Sequence, residues 1–293
     1  MKRRGLGRDS GLTARMAVAL VLLALTYFGL CLGIYALYRE FPGAWPYWIV
    51  VTLTLGIGLV GHYRNGGTAL LASVGARVVE PGQEPELEGT LHRLAGLADI
   101  PAPRLAIANT EAANAFALGL NRRKAFVVVT NGLREQLTSA ELEAVLAHEV
   151  AHIANRDAAV MTIVAAPRTL AEVMIGGPGS TLLGLVWLLI WPLAIPVFFV
   201  GTLLTLTVSR YREFAADRGS AILTGAPEQL MSALRRLASQ AAEIPHEDLR
   251  AANAFCIVPT EARLVELFSD HPPLEKRLAA LAEVAREMGK PVS

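Results

Sequence analysis

The segment His148-Glu149-Val150-Ala151-His152 places two imidazoles four residues apart, with a carboxylate directly after the first. On a helix this spacing puts both rings on one face, one turn apart, where their nitrogens can meet a single zinc ion. Glu149 then stands beside the first ligand, placed to act as the base that takes a proton from a metal-activated water. Two imidazoles leave a tetrahedral zinc one protein ligand short. A glycine at 155 and a histidine at 158 would complete it locally, but Asn155 and Ala158 occupy those positions. No Leu-Asp-Gly sequence offers an aspartate of the kind used within membranes. A glutamate elsewhere remains. Glu213, with Asp217 one helical turn further on, supplies a ligand together with a carboxylate able to accept a hydrogen bond from a ligand histidine. Taken alone, Arg210, Arg212, Glu213 and Asp217 read rather as a surface helix with paired charges, and it is the missing third ligand of His148 and His152 that favours the metal reading. The chemistry expected is peptide-bond hydrolysis by water activated on one Zn2+ per chain.

These groups need elements to position them. Thr138 to Asn155 reads as a helix, because Thr138 followed by Glu141 fits a capping box and Leu142, Val145, Leu146 and Ile153 form a stripe at helical spacing. Ala144, Ala147 and Ala151 are expected to leave room for a metal and a substrate. Upstream, Glu86 to Ala98 has the pattern of an amphipathic helix, whereas Arg104 to Ala108, Asn114 to Gly119 and Ala125 to Thr130 read as strands of a small sheet. Downstream, Gln229 to Ala242 and Leu274 to Met288 are amphipathic.

The surrounding composition is that of a membrane protein: 53% of 293 residues are hydrophobic and only 18% are charged. Met16 to Leu37 is about 33 Å long as a helix, enough to cross a hydrocarbon core, and Trp45 to Val60 makes a second apolar run that completes a hairpin. Lys2, Arg3, Arg4, Arg8 and Arg15 mark the cytoplasmic flank. No basic surface interleaved with aromatic residues follows, so a nucleic-acid partner is not expected. Gly56, Gly58 and Gly61 spell GxGxxG without a preceding strand, so they read as helix packing rather than a nucleotide turn. Cys31 and Cys256 lack metal or redox spacing and are read as unpaired thiols.

The central run, 158–208, is interrupted by Arg168 and Glu172, breaks at Gly176 to Gly179, and continues uncharged from Thr181 to Val208 past Pro192 and Pro196. Because His152 and Glu213 must meet one ion, the chain between them returns to the side it left. Two central spans are favoured over one re-entrant dip. The organisation expected is a tail and hairpin at 1–63, a first catalytic segment at 64–157, the membrane region at 158–208, and a second catalytic segment at 209–293. The fold class is thus an α-rich α+β, zincin-like domain with a small sheet and transmembrane helices, two of them N-terminal. It would be a multi-pass protein of the cell membrane with its catalytic domain in the cytoplasm.

The hydrophobic pair, Asn114-Ala115-Phe116-Ala117, His148 to His152, Glu213 to Asp217, and His271-Pro272 followed by Arg277 together resemble HtpX-type membrane gluzincins, relatives of the CAAX prenyl proteases, over nearly the whole chain. The resemblance implies a zinc endopeptidase acting on polypeptides, misfolded membrane proteins among them, in quality control. It also implies that a substrate strand pairs beside Asn114, Ala115, Phe116, Ala117 and Leu118, and that His271 and Arg277 face the substrate carbonyl oxygen. A prenyl preference is not carried over. The rival reading is a membrane adaptor that keeps the metal site and binds clients without turnover, and the complete set of ligands and base argues against it.

Overall fold

The computed structural model describes residues 10–40, 43, 71–72, 75–119, 121–175, 181–241 and 271–290. The expected second apolar run, the basic residues before Ser10, the Gly176 to Gly179 break and Cys256 lie outside them. Among the described residues the elements run α1 (Ser10–Glu40), β1 (Ala76–Val78), α2 (Pro85–Ala98), β2 (Arg104–Ala108), β3 (Ala115–Leu118), β4 (Phe126–Thr130), α3 (Asn131–Gln136), α4 (Ser139–Asn155), α5 (Asp157–Ile175), α6 (Thr181–Thr224), α7 (Pro227–Ala241) and α8 (Leu274–Glu287). The chain divides into two compact units, one of Met1–Arg64 and Val160–Tyr211, the other of Asn65–Ala159 and Arg212–Ser293.

The second unit holds a four-stranded mixed sheet in the order β1-β2-β4-β3, with β2 and β4 parallel and both outer pairs antiparallel. Alternation along the strands separates two apolar faces. Leu105, Ile107, Val127 and Val129 face a core shared with α2, α4 and α7, while Ala106, Ala108, Phe126 and Val128 pack with Leu71 on the other side. β4 is central and covered on both faces, so Val127, Val128 and Val129 are wholly buried, each stabilising the fold by about 1.5–3 kcal/mol.

β3 lies at the sheet edge. The Thr130 N–H donates to the Asn114 carbonyl at 3.0 Å, which marks that pair as hydrogen-bonded across the strands. Pairing alternates in an antiparallel ladder, so Ala115 and Ala117 turn their own N–H and C=O groups away from β4.

Helix α4 begins with the expected capping box: Glu141 N–H donates to Thr138 Oγ1, and the Thr138 N–H donates to the Glu141 carboxylate at 2.9 Å. The expectation that its alanines leave open space does not hold. Ala144 and Ala147 are fully buried and Ala151 nearly so, because neighbouring elements pack directly against these small side chains.

In the first unit, Ala19 and Leu23 of α1 pack with Val164 of α5 and with Leu204 and Val208 of α6. Pro167 lacks an N–H, so the Ile163 carbonyl loses its helical donor. The Tyr27 hydroxyl of α1 replaces it at 2.9 Å. Arg168 and Glu172, the charges that interrupt the apolar run, lie one turn apart and pair at 2.9 Å, and α5 continues through them. The apolar run to Val208 and the polar segment after it form one helix, α6, which Gly225 ends with φ of +67°. Among the described residues, α6 from Ala194 onward contains a window long and apolar enough to cross a membrane, and its apolar run ends at Val208, before Arg210, Arg212 and Glu213.

Candidate metal centre

Helix α4 carries His148 and His152 on one face, and α6 brings Glu213 to them. The two Nε2 atoms are 3.0 Å apart and the rings are perpendicular, at 88°. Glu213 Oε1 lies 3.4 Å from His152 Nε2, and Oε2 lies 3.6 Å from His148 Nε2. One donor atom from each residue falls within 4.8 Å of the others.

The outer contacts decide what this cluster binds. His148 Nδ1 is 3.0 Å from Asp217 Oδ1, and His152 Nδ1 is 2.6 Å from Asp157 Oδ2. An ionised carboxylate only accepts, so each Nδ1 carries the hydrogen and each neutral ring presents a bare lone pair at Nε2. Two lone pairs and a carboxylate oxygen aimed at one point repel each other unless a cation lies between them. Burial disfavours a charged imidazole at both positions, but Asp217 and Glu213 at His148, and Glu213 at His152, outweigh it and raise both pKa values. A metal ion competes for the place those protons would take. The donor set of two nitrogens and one oxygen fits a divalent metal.

Each outer carboxylate is itself held by an arginine. Arg277 donates from Nε and Nη2 to the two oxygens of Asp217 at 2.8 and 2.6 Å, and Arg212 pairs with Asp157. Burial pushes the Arg212 pKa down to about 10, although the nearby Glu213 opposes the shift. Asp217 was legible as a one-turn partner of Glu213. Asp157 was not. Arg156 caps α4 in the left-handed conformation, with φ of +59°, and this turn sends Asp157 back toward His152 as the first residue of α5. Alanine at either aspartate should weaken metal affinity roughly 10-fold to 100-fold, measured by competition with a chromophoric chelator. A loss confined to Asp217→Ala would leave Asp157 as no more than a helix-terminal charge.

Glu149 is only 4% exposed. Burial raises its pKa, which makes it a stronger base, while the Ala117 N–H hydrogen-bonds to its carboxylate. Ala117 is one of the two β3 residues whose backbone faces outward, so the Glu149 carboxylate meets the sheet edge there.

From the C-terminal segment, His271 Nδ1 lies 3.1 Å from Glu213 Oε2 and the side chain is 23% exposed. Arg277 is 1% exposed, pairs through Nε and Nη2 with Asp217, and turns Nη1 to within 3.5 Å of Glu213, so its guanidinium lies beside the metal-binding cluster.

Residues 81–285 match the family model for peptidase family M48. The chain is 42% identical to a protease HtpX homolog of Moorella thermoacetica, covering 98% of both chains. It is 38% identical to protease HtpX homolog 2 of Methanosarcina mazei, over 98% of this chain and 100% of that one. A crystal structure of Ste24p from S. mikatae shares the fold, with a TM-score of 0.55 at 19% identity over 92% of this chain and 66% of that chain.

Proposed function

The chain belongs to peptidase family M48 and is a metalloendopeptidase, and on that premise we propose that it is a zinc enzyme of the membrane that cleaves polypeptides, misfolded membrane proteins among them. The observation that carries this reading is the meeting of His148, His152 and Glu213 beside Glu149, next to the open edge of β3.

The three side chains would hold the ion, which when bound supplies a Lewis acid that polarises a scissile carbonyl and lowers the pKa of water. Glu149 takes the proton from that water and delivers it to the leaving amine. An extended substrate adds a strand at β3 beside the part-exposed Phe116 and Ala117, pairing with the outward C=O of Ala117 while the Ala117 N–H stays on Glu149. The small Ala117 side chain lets the substrate backbone come close to Glu149. His271, partly exposed beside Glu213, faces the carbonyl oxygen and stabilises its developing charge.

Support for the bilayer comes from the first unit. Leu25 and Phe28 on α1, and Phe199 and Leu203 on α6, are 59–67% exposed, which is costly in water and favourable against lipid. On this reading α5 and α6 are the two central crossings between His152 and Glu213, and the charge bias of the basic tail favours a cytoplasmic metal centre. In a background lacking Cys31 and Cys256, Lys290→Cys should be shielded from an impermeant thiol reagent in intact cells, and Pro178→Cys should react. Labelling at 290 would reverse the orientation, and protection at 178 would remove the two central crossings.

The full chain in detergent should hydrolyse a destabilised membrane protein, stop on addition of a zinc chelator and recover when Zn2+ is returned. Hydrolysis that survives chelation would sink the metal mechanism. Equal cleavage of folded and destabilised substrates would sink the quality-control role.

A further inference from the structure

Gly219 stands on α6 beyond Glu213 and Asp217, facing the middle of the His148 to His152 turn. A β-carbon added there would lie 2.6 Å from the Ala151 Cβ, against about 3.5–4.0 Å for carbon atoms in ordinary contact. The next residue, Ser220, is fully buried and donates Oγ to the Ala144 carbonyl of α4 at 2.6 Å. A hydrogen bond thus draws α6 onto α4, and the bare glycine sets how near it comes.

We propose that Gly219 is a positioning residue of the metal centre, whose missing side chain fixes the separation of α4 and α6 at which Glu213 reaches the two histidines. The inference rests on the metal reading above. Two ligands belong to α4 and the third to α6, so the distance between the helices is itself a coordinate of the site. Metal–ligand distances tolerate only about 0.2 Å. A methyl at 219 would require the helices to part by roughly 1 Å to restore normal contact. Neither side can yield by turning a flexible end, because the Ala151 Cβ is fixed to the backbone between Glu149 and His152. Moving Ala151 moves the ligands. Parting the helices would also stretch the Asp217 contact to His148, since Asp217 shares α6 with Gly219.

The test uses the full-length protein in detergent and three variants: Gly219→Ala, Ala151→Gly, and both together. Zinc affinity is measured by competition with a chromophoric chelator, and folding by thermal melting without metal. Gly219→Ala should bind zinc at least about 10-fold more weakly, the size of loss seen when ligands are misoriented. Ala151→Gly removes the opposing carbon, so the double variant should recover to within about threefold of the parent, a non-additivity expected only for residues in contact. Unchanged affinity in Gly219→Ala overturns the proposal, as does a double variant no better than the single. If Gly219→Ala fails to fold, the double variant decides alone: parent-like folding and affinity support the contact, and no recovery overturns it. A parent protein with no zinc affinity would sink the metal reading itself, whatever the variants do.

Discussion

Glu149→Gln should keep its metal and lose peptide hydrolysis by about 10²–10⁴-fold, the range for removing a general base. The amide is close in size and shape to the carboxylate, so α4 and the positions of His148 and His152 need not change. What is lost is proton acceptance. In the native chain the Glu149 side chain is nearly inaccessible, and burial raises its pKa, so its carboxylate gains more from taking a proton than one in water would. Glutamine retains an oxygen for the Ala117 N–H, and substrate binding at β3 should survive. The expected pattern is unchanged zinc content, KM within a few-fold and a collapsed kcat. Zinc content is read by mass spectrometry after gel filtration. Turnover near that of the parent would remove Glu149 from the mechanism, and loss of zinc would make it a structural carboxylate.

Glu213→Ala should empty the site. The change removes the carboxylate of the cluster found among the described residues and leaves two imidazoles, so affinity should fall by more than the roughly 10-fold to 100-fold expected of an outer partner. Glu213 also balances charge. His271 and Arg277 both approach its Oε2, and burial of the carboxylate is outweighed by His271, His148 and His152, which hold its pKa well below the ordinary value. Without it, the Arg277 guanidinium would face an incoming dication with Asp217 as its remaining carboxylate partner. Glu213→Gln separates the two contributions, since it keeps an oxygen donor and loses the charge, and its affinity should fall between parent and alanine. Zinc content equal to that of the parent in Glu213→Ala would show that a different residue completes the coordination.

Much of the site follows from the order of residues because its logic is local. His148, Glu149 and His152 lie within one helical turn and a half, and the capping box at Thr138 and Glu141 starts that helix through contacts three residues long. Strands β2, β3 and β4 are equally legible, since β-branched runs and turn residues act over a few positions. Glu213 could be offered as a ligand without tertiary information because a metal held by two imidazoles needs a third donor and the nearby positions 155 and 158 supply none. Asp217 followed from helical spacing to Glu213.

The remaining features depend on where separate helices come to rest. Asp157 reaches His152 only because Arg156 adopts a left-handed turn, a backbone choice that no spacing motif encodes. Arg277 reaches Asp217 across 60 positions, a contact that no local spacing announces. Ala151 looked like open space in the sequence, yet Gly219 of α6 fills that space with its backbone. Local order specifies which groups can do chemistry, since bonding along the chain fixes their spacing. Through-space packing decides how closely they meet, because the distance between two helices is set by the side chains that happen to lie between them.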